Sequence, residues 1–158
     1  MDIFEAARTN NAVELTKCLQ NTHPDLKDDR GSTPLIIASY HNNQQAAITL
    51  LTSGANPDLQ DMMGNTALMG VCFRGYLGMG RILLIHGASV NAVNGNNATA
   101  LTFAATFGHL ELVRVLLDYG ASPLMPDRFG KNPIDHAAIQ DNAECYELLV
   151  AKLNQTDS

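Results

Sequence analysis

Tryptophan is absent from this sequence of 158 residues, and its aromatic residues are five Phe and four Tyr. A core with so few large rings must be built from aliphatic side chains and alanine, which suits thin, closely packed helices. Basic residues are also scarce. Ten Lys and Arg stand against sixteen Asp and Glu, a formal net charge of −6. That leaves no basic stripe for a phosphate backbone, so no nucleic-acid partner is expected. No apolar run approaches the ~18 residues of a membrane-spanning helix, and no membrane partner is expected. The start, Met1-Asp2-Ile3-Phe4-Glu5-Ala6-Ala7, lacks the basic-then-apolar order of a secretory leader. The three cysteines, Cys18, Cys72 and Cys145, are widely spaced and odd in number. They read as reduced thiols on the inward faces of helices, not as a disulfide framework. The chain is therefore expected to be cytoplasmic, and monomeric when unbound.

Catalytic patterns are missing too. There is no Cys-x-x-Cys, no His pair at i, i+4, no Walker loop and no Gly-x-Ser-x-Gly elbow. Gly78-Met79-Gly80 is a fragment of a dinucleotide fingerprint that falls inside a helical segment. His23, His41, His86, His109 and His136 are scattered, each with an ordinary structural reading. The expectation is a protein that is not an enzyme, with no catalytic residue, no metal and no cofactor.

What is present is periodicity. Gly54-Ala55, Gly87-Ala88 and Gly120-Ala121 recur at one fixed step, as do Leu50-Leu51, Leu83-Leu84 and Leu116-Leu117. Gly31, Gly64, Asn97 and Gly130 keep the same step, followed by Thr33-Pro34-Leu35, Thr66-Ala67-Leu68, Thr99-Ala100-Leu101 and Asn132-Pro133-Ile134. Independent markers sharing a period of ~33 residues without an insertion signal a tandem array. Within one unit, Leu110, Val113 and Leu117 share a helix face with Leu112 and Leu116, and Gly120 can take the left-handed position that ends the helix. Thr33 and its counterparts are placed to cap a first helix, with Pro34 at the first helical position, where a missing N–H costs nothing. Gly78 and Gly80 interrupt the second helix of one unit. Each is expected to cost about 1 kcal/mol relative to alanine, and that helix to be the softest.

The period, the Gly-x-Thr-Pro-Leu opening, the Ala-Ala pair, Gly-His-Leu-Glu at Gly108 to Glu111, and the closing Leu-Leu and Gly-Ala together resemble the ankyrin repeat. The resemblance covers nearly the whole chain, and the unit from Asn97 to Phe129 matches best. It implies an all-α solenoid of about five helix-turn-helix units with short hairpin loops, forming a single domain over residues 1–153. Residues 1–30 would form the N-terminal cap, 31–63, 64–96 and 97–129 the full repeats, and 130–153 the C-terminal cap, with a polar tail at 154–158. The histidine common after Thr-Pro-Leu is replaced by Ile36, Met69, Thr102 and Asp135. An inter-unit hydrogen bond of the family is thereby left without its usual residue.

The resemblance also implies a non-catalytic module that binds a protein partner through its concave face. A stoichiometric inhibitor, or an immunity protein that blocks one enzyme or toxin, is the alternative. Contact residues of the family cluster on hairpin tips and just after the Ala pair. Carried onto this chain, those positions include Tyr40, His41, Met62, Met63, Phe73, Arg74, Thr106, Phe107, Arg128 and Phe129. Aromatic, Met and Arg side chains at positions that stacking does not use are types that anchor interfaces.

Overall fold

In the computed structural model, which describes residues 1–156, helices come in pairs. They are α1 (Ile3–Arg8) with α2 (Ala12–Leu19), α3 (Pro34–Tyr40) with α4 (Gln44–Thr52), and α5 (Ala67–Arg74) with α6 (Leu77–Ile85). Next come α7 (Ala100–Thr106) with α8 (Leu110–Asp118), and α9 (Pro133–Ile139) with α10 (Ala143–Thr156). First helices stack in the order α1, α3, α5, α7, α9, and second helices form a parallel layer behind them. Among the described residues there is no strand. The segment expected as a polar tail is helical as far as Thr156, and the tail's last two residues, Asp157 and Ser158, lie outside the described chain.

Each first helix opens on a capping side chain. Asp2, Thr33, Thr66, Thr99 and Asn132 accept a hydrogen bond from the backbone N–H three residues on. Such a cap is worth about 1 kcal/mol. Three of the four residues standing in for the missing histidine bond back to the cap of their own unit instead. Thr102 Oγ1 accepts from Thr99 N at 3.0 Å, and Asp135 Oδ2 from Asn132 N at 2.9 Å. Met69 Sδ makes a weaker contact with Thr66 N at 3.5 Å.

Second helices α4 and α8 lack a side-chain cap of their own. The residue at that position reaches to the preceding unit instead. Asn43 Nδ2 donates to the carbonyls of Ala7 and Arg8 at 2.9 and 2.8 Å. In return Asn10 Oδ1, in the preceding turn, accepts from Ala46 N at 3.0 Å and caps α4 from outside. Local capping is thus exchanged for hydrogen bonds between units.

At the tips, Asp28, Asp61, Asn94 and Asp127 each accept two backbone N–H groups through Oδ1, from the residues two and four positions on. These bonds fold the tips without a regular ladder. Adjacent tips are joined by Met62 N to Arg30 O, Gly95 N to Met63 O and Arg128 N to Asn96 O, at 3.1, 3.0 and 2.8 Å.

The core follows the repeat: Leu35, Leu68 and Leu101 on first helices, Leu50, Leu83, Leu116 and Leu149 on second helices, with alanines where helices cross closely. Two expectations need correction. Cys72 and Cys145 are buried, but Cys18 is only half-buried, its thiol 3.5 Å from the Met1 carbonyl. Gly80 is not a defect in α6. A methyl group there would lie 2.7 Å from Cδ2 of Leu112, which is itself buried, so the missing side chain lets α6 approach α8. Gly78 faces outward, and a methyl group there would meet only the end of the Gln44 side chain, at 2.8 Å.

Candidate protein-binding groove

Tip and first-helix side chains enclose an open groove of 870 Å³ between the second and third units. The α3 wall carries Ile36, Ile37 and Tyr40, and the α5 wall carries Met69, Gly70 and Phe73. Met62 and Met63 stand over it from the tip, Arg30 and Arg8 line one side, and Phe103 of α7 closes the far end. Gly70 explains part of the opening. Its counterparts in the neighbouring units are Ile37 and Phe103, and in the last unit His136, so a side chain is missing where the other units have one.

Five of the ten candidate contact residues line this groove: Tyr40, His41, Met62, Met63 and Phe73. All five are exposed, Met62 at 77% and Phe73 at 43%. Phe107 adjoins them, its ring packed edge-on against Phe73 with centroids 4.9 Å apart. Phe73 makes a second edge contact with Phe103 at 6.4 Å. These rings are therefore half-packed against one another while keeping a solvent face.

Arg74 lies at the rim. Its guanidinium sits 5.0 Å over the Tyr40 ring and 5.5 Å from the Tyr76 ring, and it donates to the Tyr76 hydroxyl from Nη2 at 2.8 Å and from Nε at 3.1 Å. The hydrogen bond to Tyr76 raises its pKa above an already high ordinary value, so the charge is permanent. His41 meets Tyr40 edge-on at 5.7 Å.

The remaining candidates lie apart from the groove. Thr106 is half-buried and turns its hydroxyl back to the Thr102 carbonyl at 2.6 Å, which leaves that hydrogen committed. Arg128 and Phe129 stack on each other at 5.3 Å on a later tip, with Arg128 Nη1 3.3 Å from Asn96 Oδ1. They continue the same face without lining the groove.

Sequence reasoning missed Phe103, Tyr76 and Gly70. For Gly70 the signal was available, since the repeat register aligns a glycine with Ile37 and Phe103. Tyr76 occupies the N-cap position of α6, where the repeat gave no reason to look for a partner of Arg74.

Elsewhere, His136 Nε2 lies 2.8 Å from Asp127 Oδ2 in the last unit. Desolvation pushes the Asp127 carboxyl upward, but hydrogen bonds from His136 and from the N–H groups of Lys131 and Phe129 outweigh it, leaving the pKa below its ordinary value. Among the described residues, no group of three or more His, Cys, Asp or Glu is placed to hold a metal ion, and no helix is long and apolar enough to cross a membrane.

The family model for ankyrin repeats (3 copies) matches the chain over residues 3–94 and 72–157. No curated protein matches it. Ankyrin repeats generally serve as protein–protein interaction modules, and the family is typically non-catalytic. Paired helices in two stacked layers, repeated tip bonds and a family match across almost every unit lead to one conclusion: the chain belongs to the ankyrin repeat family.

Proposed function

We propose that the protein is a non-catalytic module that seats a protein partner on the concave face formed by its first helices and tips, with the groove at the centre of the contact. The observation that carries this reading is the continuity of Tyr40, Met62, Met63, Phe73 and Phe107, exposed apolar side chains gathered around one groove. Contiguous apolar surface of this kind favours a partner, because leaving it bare costs solubility while covering it releases ordered water. Arg128 and Phe129 extend the contact toward the last unit. The module is monomeric and cytoplasmic before it meets the partner.

The test is affinity capture from the native host with the wild-type chain and with the Tyr40→Ala/Phe73→Ala variant, each shown to be folded by circular dichroism. A partner held by the wild type and lost by the variant supports the reading. A partner retained equally by both contradicts it.

A further inference from the structure

We propose that the groove receives an acidic, extended segment of the partner that carries one large apolar side chain. This rests on the partner-binding reading above and adds the chemistry of what is bound.

The groove walls supply the apolar contact. Ile36 and Phe73 offer aliphatic and aromatic contact, and Gly70 leaves room for an incoming side chain. Met62 and Met63 above them are unbranched and polarizable, so they can close over side chains of different shape.

The preference for acid comes from guanidinium charges without an ion-pair partner. Arg30 lines the groove and Arg74 stands at its rim, and neither forms an ion pair among the described residues. Arg8 also lines the groove, but it spends its charge on Glu5 at 2.8 Å. The acidic groups of the groove, Asp28 and Asp61, are occupied differently. Each accepts two N–H groups of its own tip through Oδ1 at 2.9 Å. Those amides tie the carboxylates to their own tips, and Arg30 and Arg74 are left as the charged donors an incoming segment meets.

Arg74 is also held in place. Two tyrosine rings and the Tyr76 hydroxyl fix its plane. A planar donor pair fixed before binding suits a carboxylate and loses little freedom when one arrives. The formal net charge of −6 repels an extended polyanion at long range. A short acidic segment, matched locally by Arg30 and Arg74, is less affected. Nucleic acid, a basic peptide and a second copy of the chain are accordingly disfavoured.

The experiment uses a displayed library of random peptides panned on the full-length chain. Enriched sequences are then synthesised with a fluorophore, and binding is followed by anisotropy. The variants are Arg30→Glu/Arg74→Glu, Arg74→Gln, which keeps a polar side chain without charge, and Phe73→Ala. Arg81→Glu, on the exposed side of α6, is the control. Circular dichroism and thermal melting confirm that each variant folds.

The expected result is enrichment of peptides with net negative charge and one Leu, Ile, Met or Phe. Their affinity should fall at least about tenfold with the double charge reversal and stay within about twofold with Arg81→Glu. Arg74→Gln should weaken binding to an intermediate degree, and added salt should weaken it in the wild type. Enriched peptides that are neutral or basic, or that are lost with Phe73→Ala yet survive the double charge reversal, overturn the acidic inference and leave the groove reading standing. If no enriched peptide depends on Phe73, Arg30 or Arg74, both readings fall.

Discussion

His109 Nε2 lies 3.2 Å from the carbonyl oxygen of Phe73, and the imidazole covers Gly75. A carbonyl only accepts, so Nε2 carries the proton. One residue of the fourth unit thereby holds the end of α5, where Phe73 and Arg74 leave the helix. Gly75 is committed twice: its φ is +85°, and a methyl group there would come within 2.5 Å of the imidazole. Gly75→Ala should cost about 2 kcal/mol or more, part from left-handed backbone and part from displacing the ring. In a His109→Ala background the same change should cost only the backbone share, about 1 kcal/mol. Urea denaturation of the four proteins in this cycle checks it, and strict additivity would show that the ring contact contributes nothing.

The two glycines of α6 should behave oppositely. Gly78→Ala places its methyl against a mobile, exposed glutamine end, so it should stabilise by about 0.5–1 kcal/mol through helix propensity. Gly80→Ala forces buried Leu112 out of its rotamer, and overpacking of about 1–3 kcal/mol should outweigh the same gain. Melting temperatures that rise for both variants would remove the close α6–α8 approach as the reason for Gly80.

Thiol labelling should separate the cysteines. Cys72 is fully buried and its thiol is pushed far up by desolvation, and Cys145 is shifted in the same direction for the same reason. Both should resist a disulfide reagent under native conditions and react on unfolding. Half-buried Cys18 should react first. Mass spectrometry after a short native exposure reads the order, and early modification of Cys72 would displace it from the core.

Period and fold class were legible because stacking demands the same small and apolar residues at the same place in every unit. Leu35, Leu68 and Leu101 announce themselves in this way. The tip bonds made by Asp28, Asp61, Asn94 and Asp127 keep the same period, yet a polar residue in a loop has many readings until its acceptor geometry is seen. Gly80 was misread because propensity describes an isolated helix, while the deciding contact is with Leu112 in the next unit. The groove was legible in part. Tyr40 and Phe73 stand out by type, but the arrangement of Arg74 between Tyr40 and Tyr76 depends on side-chain directions that spacing does not give.

Acid should weaken the last unit through Asp127. Its folded-state pKa lies below the ordinary value of 3.8, so its contribution is fully present above that value and is lost as pH falls through the lowered one. Asp127→Asn keeps an acceptor for the tip amides but removes the charge that His136 meets at 2.8 Å. The wild type should therefore melt higher than the variant near neutral pH, with the gap closing below about pH 4. A gap unchanged down to the acid transition would mean that the carboxylate charge plays no part.

Partner binding through the groove is tested most directly by filling the groove from within. Gly70 has helical backbone, and a Cβ there meets only Tyr40 Cδ2 at 3.6 Å, an ordinary contact. Gly70→Leu should therefore fold and melt no lower than the wild type, because the gain from replacing a helical glycine is about 0.5–1 kcal/mol. Its side chain would occupy the space between Tyr40, Met62 and Phe73. The decisive measurement is calorimetric titration of the captured partner into wild-type and Gly70→Leu protein. Partner binding through the groove predicts a loss of affinity of at least about tenfold in a fully folded variant. Equal affinity in a folded Gly70→Leu protein would contradict it.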